Sequence, residues 1–122
     1  WITPLRALAK DLEHAMNALA QELNIGWSIA RRTGDTNSSE RQKQNRNIPQ
    51  CLITTPESLH LLLSQKNNSQ LFSSVKAIIV DEWHELLGTK RAVQVDLAIS
   101  RIRKLAPKVK IWGISATIGN ME

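Results

Sequence analysis

Val75-Lys76-Ala77-Ile78-Ile79-Val80, followed at once by Asp81-Glu82-Trp83-His84, is the stretch on which the reading of the fold turns. A short run that is apolar on both sides suits a strand in the interior of a parallel sheet. Asp81 ends it. Downstream, Lys90 to Leu105 predicts a long helix with Val95, Ala98, Ile102 and Leu105 on one face and Pro107 beyond its end. Val109 to Ile114 predicts the next strand. Upstream, Cys51-Leu52-Ile53-Thr54 reads as a buried strand. Thr55-Pro56 then starts a helix, with Thr as N-cap and Pro at the first helical position. Leu59, Leu62 and Leu63 give that helix its buried side, and Asn67-Asn68-Ser69 breaks it.

The same grammar holds at the beginning of the chain. Trp1-Ile2 reads as the tail of a strand, and Thr3-Pro4 repeats the cap-and-proline helix start. Leu5, Leu8, Leu12, Ala15, Leu19 and Leu23 follow at helical spacing as one apolar stripe, stopped by Asn24 and Gly26. Trp27 to Arg31 is a short strand. From Thr33 to Gln50 the composition turns polar, with a short helix starting near Ser38 or Ser39. Regular alternation of strand and helix predicts an α/β fold, a three-layer sandwich on a mostly parallel sheet.

With 122 residues the chain is long enough for one domain with a real core and too short for two. A single cysteine, Cys51, excludes an internal disulfide and reads as core packing in a strand. No apolar run approaches membrane-spanning length. The net charge of +5 gathers in Arg31-Arg32, in Arg41, Lys43 and Arg46, and between Arg101 and Lys110. Such clusters suit a polyanionic partner through phosphate neutralisation, and they equally suit an ordinary solvated surface. The chain opens on Trp1 and enters a strand directly, as a piece of something longer would.

In open parallel sheets, ligands lie outside the carboxyl ends of the strands. Thr3-Pro4, Thr54-Thr55-Pro56-Glu57, Asp81-Glu82 and Ser115-Ala116-Thr117 each follow a strand and share that edge. Adjacent carboxylates repel unless a cation relieves them. An Asp that holds magnesium beside a Glu that activates water is a recurrent arrangement for nucleotide hydrolysis. A solvated turn with Asp81 as helix cap remains the other reading. Zinc chemistry at His84 fails on spacing, because the position after His84-Glu85-Leu86-Leu87 is Gly88 and not a second His. Thr33-Gly34-Asp35-Thr36 is either a plain turn or a phosphate-holding loop with Arg31-Arg32 before it. Helix starts at Thr3-Pro4 and Thr55-Pro56 present free amides suited to phosphates, or simple caps.

In order and content these clusters resemble the first RecA-like domain of superfamily two helicases. Thr3-Pro4-Leu5-Arg6-Ala7-Leu8 looks like motif Ia, and Arg32-Thr33-Gly34-Asp35-Thr36 resembles the Gly-containing segment after it. Thr55-Pro56-Glu57-Ser58-Leu59 resembles motif Ib, Asp81-Glu82-Trp83-His84 the DExH form of motif II, and Ser115-Ala116-Thr117 motif III. Within the superfamily the Lhr-like group is most similar, through Arg32 to Thr36, Thr54 to Leu59 and Glu82 to Arg91; the Trp after Asp-Glu looks like its bacterial ligase-associated DEXH-box branch. That resemblance implies residues 1–122 as a partial helicase ATP-binding domain, from motif Ia to just after motif III. It further implies ATP and Mg2+ as cofactors, 3′-to-5′ movement on single-stranded DNA, a DNA-repair setting and a bacterial cytoplasm.

Site roles follow from the same resemblance. Asp81 would hold magnesium through water in the family's manner, and Glu82 would activate water. His84, Ser115, Ala116 and Thr117 would couple the nucleotide state to the DNA grip. Thr3, Pro4, Arg6, Arg32, Thr33, Gly34, Asp35, Thr36, Thr55, Pro56 and Glu57 would line the nucleic-acid track, mostly through phosphate and sugar. Trp83 and Trp112 sit in core-like contexts. The family's phosphate loop, Gly-x-x-x-x-Gly-Lys-[Ser/Thr], does not occur in the sequence. The resemblance puts that loop and its strand before Trp1 and a second RecA-like domain after Glu122. This piece alone is therefore expected to be inactive, with Ile111 to Ile114 as an unpaired apolar edge. Two other readings stand beside it: an RNA helicase of the same superfamily, and a non-catalytic nucleic-acid-binding module of the same fold.

Overall fold

Ile2 joins the sheet together. In the computed structural model, which describes residues 1–82 and 89–114, strand β1 (Ile29–Arg32) pairs in parallel with β2 (Cys51–Thr54). Strand β3 (Ala77–Asp81) pairs in parallel with β4 (Lys110–Ile114). Between the two pairs runs the segment Trp1–Thr3, with Ile2 bridging in parallel to both Thr54 and Val80. Its backbone is bonded on both sides: Ile2 N to Ile79 O and Asp81 N to Ile2 O at 2.7 Å, Thr3 N to Thr54 O and Thr54 N to Trp1 O at 2.9 Å. The sheet therefore reads β1, β2, Trp1–Thr3, β3, β4, all parallel, with the carboxyl ends on one edge.

Helices cover it as the alternating pattern predicts. Helix α1 (Arg6–Glu22) packs on β1 and β2 from one side. On the other side lie α2 (Ser38–Arg46), α3 (Pro56–Leu63), the short α4 (Asn68–Phe72) and α5 (Lys90–Leu105). The main core is on that second side: Ile2, Ile78 and Val80 meet Leu59, Leu62, Leu63, Leu71, Phe72, Val95, Ala98 and Ile102. Each fully buried Leu there contributes about 1.5–3 kcal/mol of apolar burial. The expected α5 boundaries and its buried face at Val95, Ala98 and Ile102 are found. Helix α2 starts at Ser38 with Asn37 as cap, its side chain accepting from Glu40 N at 2.9 Å. The parallel three-layer architecture agrees with the expectation.

Three readings need correction. The first helix does not start at Thr3-Pro4. Thr3 is held in the sheet by its bond to Thr54, the chain bends at Pro4, and the actual N-cap is Leu5, which is extended and makes no side-chain cap bond. Sheet pairing overrides the capping preference of Thr. The α1 stripe is also rotated: Ala9 and Ala20 are buried, whereas Leu5, Leu19 and Leu23 are more than half exposed. Small residues let the helix lie close to the sheet. Finally, Trp112 is not core. It is 62% exposed and, with Ile114, faces away from the α3–α5 side. Trp83 and the rest of residues 83–88, like residues 115–122, lie outside the described residues.

Candidate functional site

The sheet gathers the predicted polar segments at one edge because every strand runs the same way. Thr3-Pro4 leaves the central segment, Thr33 follows β1, Thr55 follows β2, and Asp81-Glu82 closes β3. His84, Ser115, Ala116 and Thr117, assigned to coupling and catalysis, fall outside the described residues.

Asp81 takes a hydrogen bond on each carboxylate oxygen. Trp1 Nε1 donates to Oδ2 at 3.1 Å, and the Glu82 amide donates to Oδ1 at 2.9 Å. Glu82 itself sits at φ 53°, in the left-handed region that a residue with a Cβ occupies only at a cost of about 1–3 kcal/mol. Strain of that kind concentrates at functional turns, and here it turns the carboxylate-bearing residue out of the strand direction. Each Asp81 oxygen keeps a further acceptor position. That suits magnesium, which retains waters and uses one or two carboxylates. No cluster of three or more His, Cys, Asp or Glu forms a cage among the described residues. The residues present thus fit an indirect hold by Asp81.

The loop after β1 is the most fully bonded part of the edge. Thr33 N donates to Thr36 Oγ1 at 2.9 Å, Thr36 N to Thr33 O at 3.2 Å, and Thr33 Oγ1 to Asp35 Oδ1. The bond from Thr33, against a smaller effect of burial, and with the Arg31 and Arg6 charges nearby, keeps Asp35 below the usual carboxylate range. Arg6, from the first turn of α1, reaches this loop: its Nη1 lies 3.5 Å from where a Cβ on Gly34 would be. Two segments far apart in sequence thereby form one surface. Arg41 of α2 lies beneath it and was counted from sequence only as part of a basic cluster.

Arg32 is placed differently from Arg6. It is 4% exposed, and its Nη1 donates to Arg41 O at 3.3 Å, Gln44 Oε1 at 3.5 Å and Asn45 Oδ1 at 3.1 Å. Burial and the nearby Arg41 charge lower its pKa, but an arginine stays protonated. This geometry makes Arg32 a support for the loop and not a side chain that a phosphate reaches. Thr3, Thr33 and Thr55 are buried as well. Among the described residues Thr3 Oγ1 is buried without a hydrogen-bond partner, while Thr55 Oγ1 donates to Ser58 Oγ at 3.2 Å. Pro56 is at the first turn of α3, as expected. Glu57 is the exposed member of that group, and Arg91 of α5 grips it bidentately, Nε to Oε1 at 2.9 Å and Nη2 to Oε2 at 3.2 Å. Nothing in the Glu57 motif alone pointed to Arg91; the pairing needs the α3–α5 packing.

Comparison with known proteins bears on this edge. The family model for the DEAD/DEAH box helicase matches residues 1–122. An ATP-dependent helicase Lhr-Core of Methanocaldococcus jannaschii is 40% identical over 97% of this chain, which spans 15% of that protein. A structure of Mycobacterium smegmatis helicase Lhr bound to ssDNA and AMP-PNP is 33% identical, with a TM-score of 0.78, over 96% of this chain and 17% of that one. The DUF1998 helicase MrfA bound to DNA and AMPPNP is 27% identical, with a TM-score of 0.81, over 98% of this chain and 17% of that one. The chain thus spans under a fifth of the length of these relatives, all of them helicases. By sequence across its whole length and by fold, it belongs to the DEAD/DEAH box helicase family.

Proposed function

We propose that this chain is the middle of the first motor domain of an ATP-driven helicase of the Lhr kind, moving on single-stranded DNA in a repair setting in the cytoplasm. The observation that carries the reading is the shared sheet edge. Asp81-Glu82 stands there beside Thr3, and the Arg6–Gly34 surface completes the row. One half of the row suits nucleotide chemistry and the other suits a phosphate backbone.

In this reading Asp81 would hold Mg2+, which when bound would supply charge neutralisation at the phosphates. Glu82 accepts a proton from the attacking water, and its left-handed backbone aims it away from the strand. Trp1 and the Glu82 amide fix the Asp81 carboxylate so that it does not swing with each cycle. Arg6, Gly34 and Thr36 meet phosphate and sugar, which makes binding tolerant of sequence. DNA is favoured over RNA because the Lhr structure at 33% identity and the MrfA structure at 27% were each seen with DNA. The lone thiol Cys51, half-buried with its Sγ 3.9 Å from Met16 Sδ, suits a reducing compartment.

The test is ATP hydrolysis by the full-length protein with and without single-stranded DNA. Stimulation by DNA, lowered by about two to four orders of magnitude in Glu82→Gln, is the expected result. Equal rates with and without DNA, or a Glu82→Gln protein as fast as the unsubstituted one, would sink the proposal. Stimulation by RNA and not DNA would move it to the RNA branch.

A further inference from the structure

The Thr33–Thr36 loop is held from below by one side chain. Arg41 Nε–H donates to Thr36 O at 2.9 Å, and Arg41 Nη2 donates to Gly34 O at 2.8 Å and to Thr33 O at 3.1 Å. A planar guanidinium with its donors in a fixed fork can serve several carbonyls at once, which an ammonium on a flexible stem cannot do with the same geometry. The consequence lies in the peptide planes. A trans peptide points its N–H opposite to its C=O, and the described chain has no cis bond. With the carbonyls of Thr33, Gly34 and Thr36 drawn toward Arg41, the amides of Gly34, Asp35 and Asn37 point away from it, that of Asp35 also serving its own carboxylate. A turn that aims successive amides to one side is an anion-binding shape. Arg6 lies against the same glycine.

We propose that Arg41 is a positioning residue for nucleic-acid binding: it touches three loop carbonyls and not the strand, and so presents the loop amides to a backbone phosphate. This rests on the nucleic-acid reading given above. The supports behind Arg41 agree with that role. Arg32 donates to the Arg41 carbonyl from a buried position, and Gln44 Nε2 donates to Arg31 O at 3.0 Å, so α2 is tied to the root of the loop at two further points. Asn67 Nδ2 donates to Asn45 O at 2.8 Å and ties the far end of α2 to the α3–α4 connection.

The experiment titrates single-stranded DNA onto the full-length protein at several salt concentrations, comparing Arg41→Ala, Arg41→Lys and the control Lys43→Ala. Lys43 lies two residues along the same helix and is exposed. If Arg41 acts through the loop, both Arg41 variants weaken binding about tenfold, roughly the loss of 1.4 kcal/mol. The slope of log affinity against log salt then stays as in the unsubstituted protein, because no cation–phosphate contact has gone. If Arg41 touches phosphate itself, Arg41→Lys restores most of the affinity and Arg41→Ala flattens the slope by about 0.7; that result overturns the proposal. Arg41 variants that bind like Lys43→Ala overturn it too. Circular dichroism checks folding; should Arg41→Ala unfold, Arg41→Lys decides alone, and unfolding of both reduces Arg41 to a stability role. An unsubstituted protein that binds no single-stranded DNA would refute the functional reading itself, an outcome separate from all of these.

Discussion

The two faces of this sheet are unlike. Toward α3, α4 and α5 it is sealed: Leu62, Leu63 and Ala98 are wholly buried, and Ile2, Ile78 and Val80 lie under them. Toward α1, among the described residues, the β1–β2 half is covered by the small residues Ala9 and Ala20 and by the Met16–Cys51 contact. Beyond it Trp112 and Ile114 stand in water at 62% and 38% exposure, although their in-register neighbours Ile79 and Asp81 are half-buried. The difference teaches that one apolar strand pattern can serve two purposes. On the sealed face it buys stability. On the other, among the described residues, it lies open beside the carboxyl edge where the polar loops gather.

The largest expected effect lies on the sealed face. Leu62→Ala should cost about 2–5 kcal/mol in urea unfolding, since the residue has no exposed surface and close-packed neighbours collapse only partly into the space. A cost under about 1 kcal/mol would mean that the α3–α5 side is not the core, and the contrast between the faces would fail.

The legible parts of this molecule divide along the same line. Where a helix presents a wide apolar face to the sealed side, sequence periodicity located it: α5 runs from Lys90 to Leu105 and buries Val95, Ala98 and Ile102 as expected. On the other face the same reasoning failed for α1 and for Trp112. Leucine spacing indicates a stripe but not which flank of it meets the sheet, and Ala9 carries no hydrophobic signal strong enough to compete. Thr3 misled for a related reason. Its cap-like neighbourhood with Pro4 is local, whereas its amide bond to Thr54 joins residues 51 positions apart. Among the candidate site residues, the motifs placed Asp81, Glu82 and Gly34 at strand ends, and the fold has them there. The supports Trp1, Arg41 and Arg91 were not legible, because each acts through a partner that only the fold brings near.

Thr3 offers the next effect, of opposite sign. Its buried hydroxyl has no partner among the described residues, and a buried unpaired polar group is costly. Thr3→Val keeps the shape and removes the hydroxyl, so it should raise stability by about 1 kcal/mol in urea unfolding. The same variant should weaken single-stranded DNA binding if the hydroxyl is kept for the strand. A destabilised Thr3→Val would show that the hydroxyl is satisfied in the folded protein.

A smaller effect sits on the rim of the sealed face. Burial works to raise the Glu57 pKa, but the hydrogen bonds and charge of Arg91 outweigh it and the net shift is downward. A lowered folded value means that the pair contributes stability above the ordinary glutamate range and loses it as pH falls through that lowered value. Because the Glu57 side chain is 52% exposed, solvent screening keeps the contribution below about 1 kcal/mol. Arg91→Gln should therefore lower the urea midpoint slightly at neutral pH and not at all in strong acid. An equal loss at both would assign the effect to packing.

The smallest expected change is the sharpest test of the two-face contrast. Trp112→Ser should shift stability by less than about 0.5 kcal/mol, despite removing the largest kind of side chain, because most of the indole already lies in water. It should also lower self-association in light scattering, since an exposed indole beside Ile114 forms an apolar patch along an outer strand. The comparison with Leu62→Ala fixes the meaning of the result. Should Trp112→Ser cost as much as Leu62→Ala, the indole is buried in the protein by chain beyond the described residues. The open face would then be a second core whose cover lies elsewhere in the sequence, and the asymmetry would belong to this segment and not to the whole motor domain.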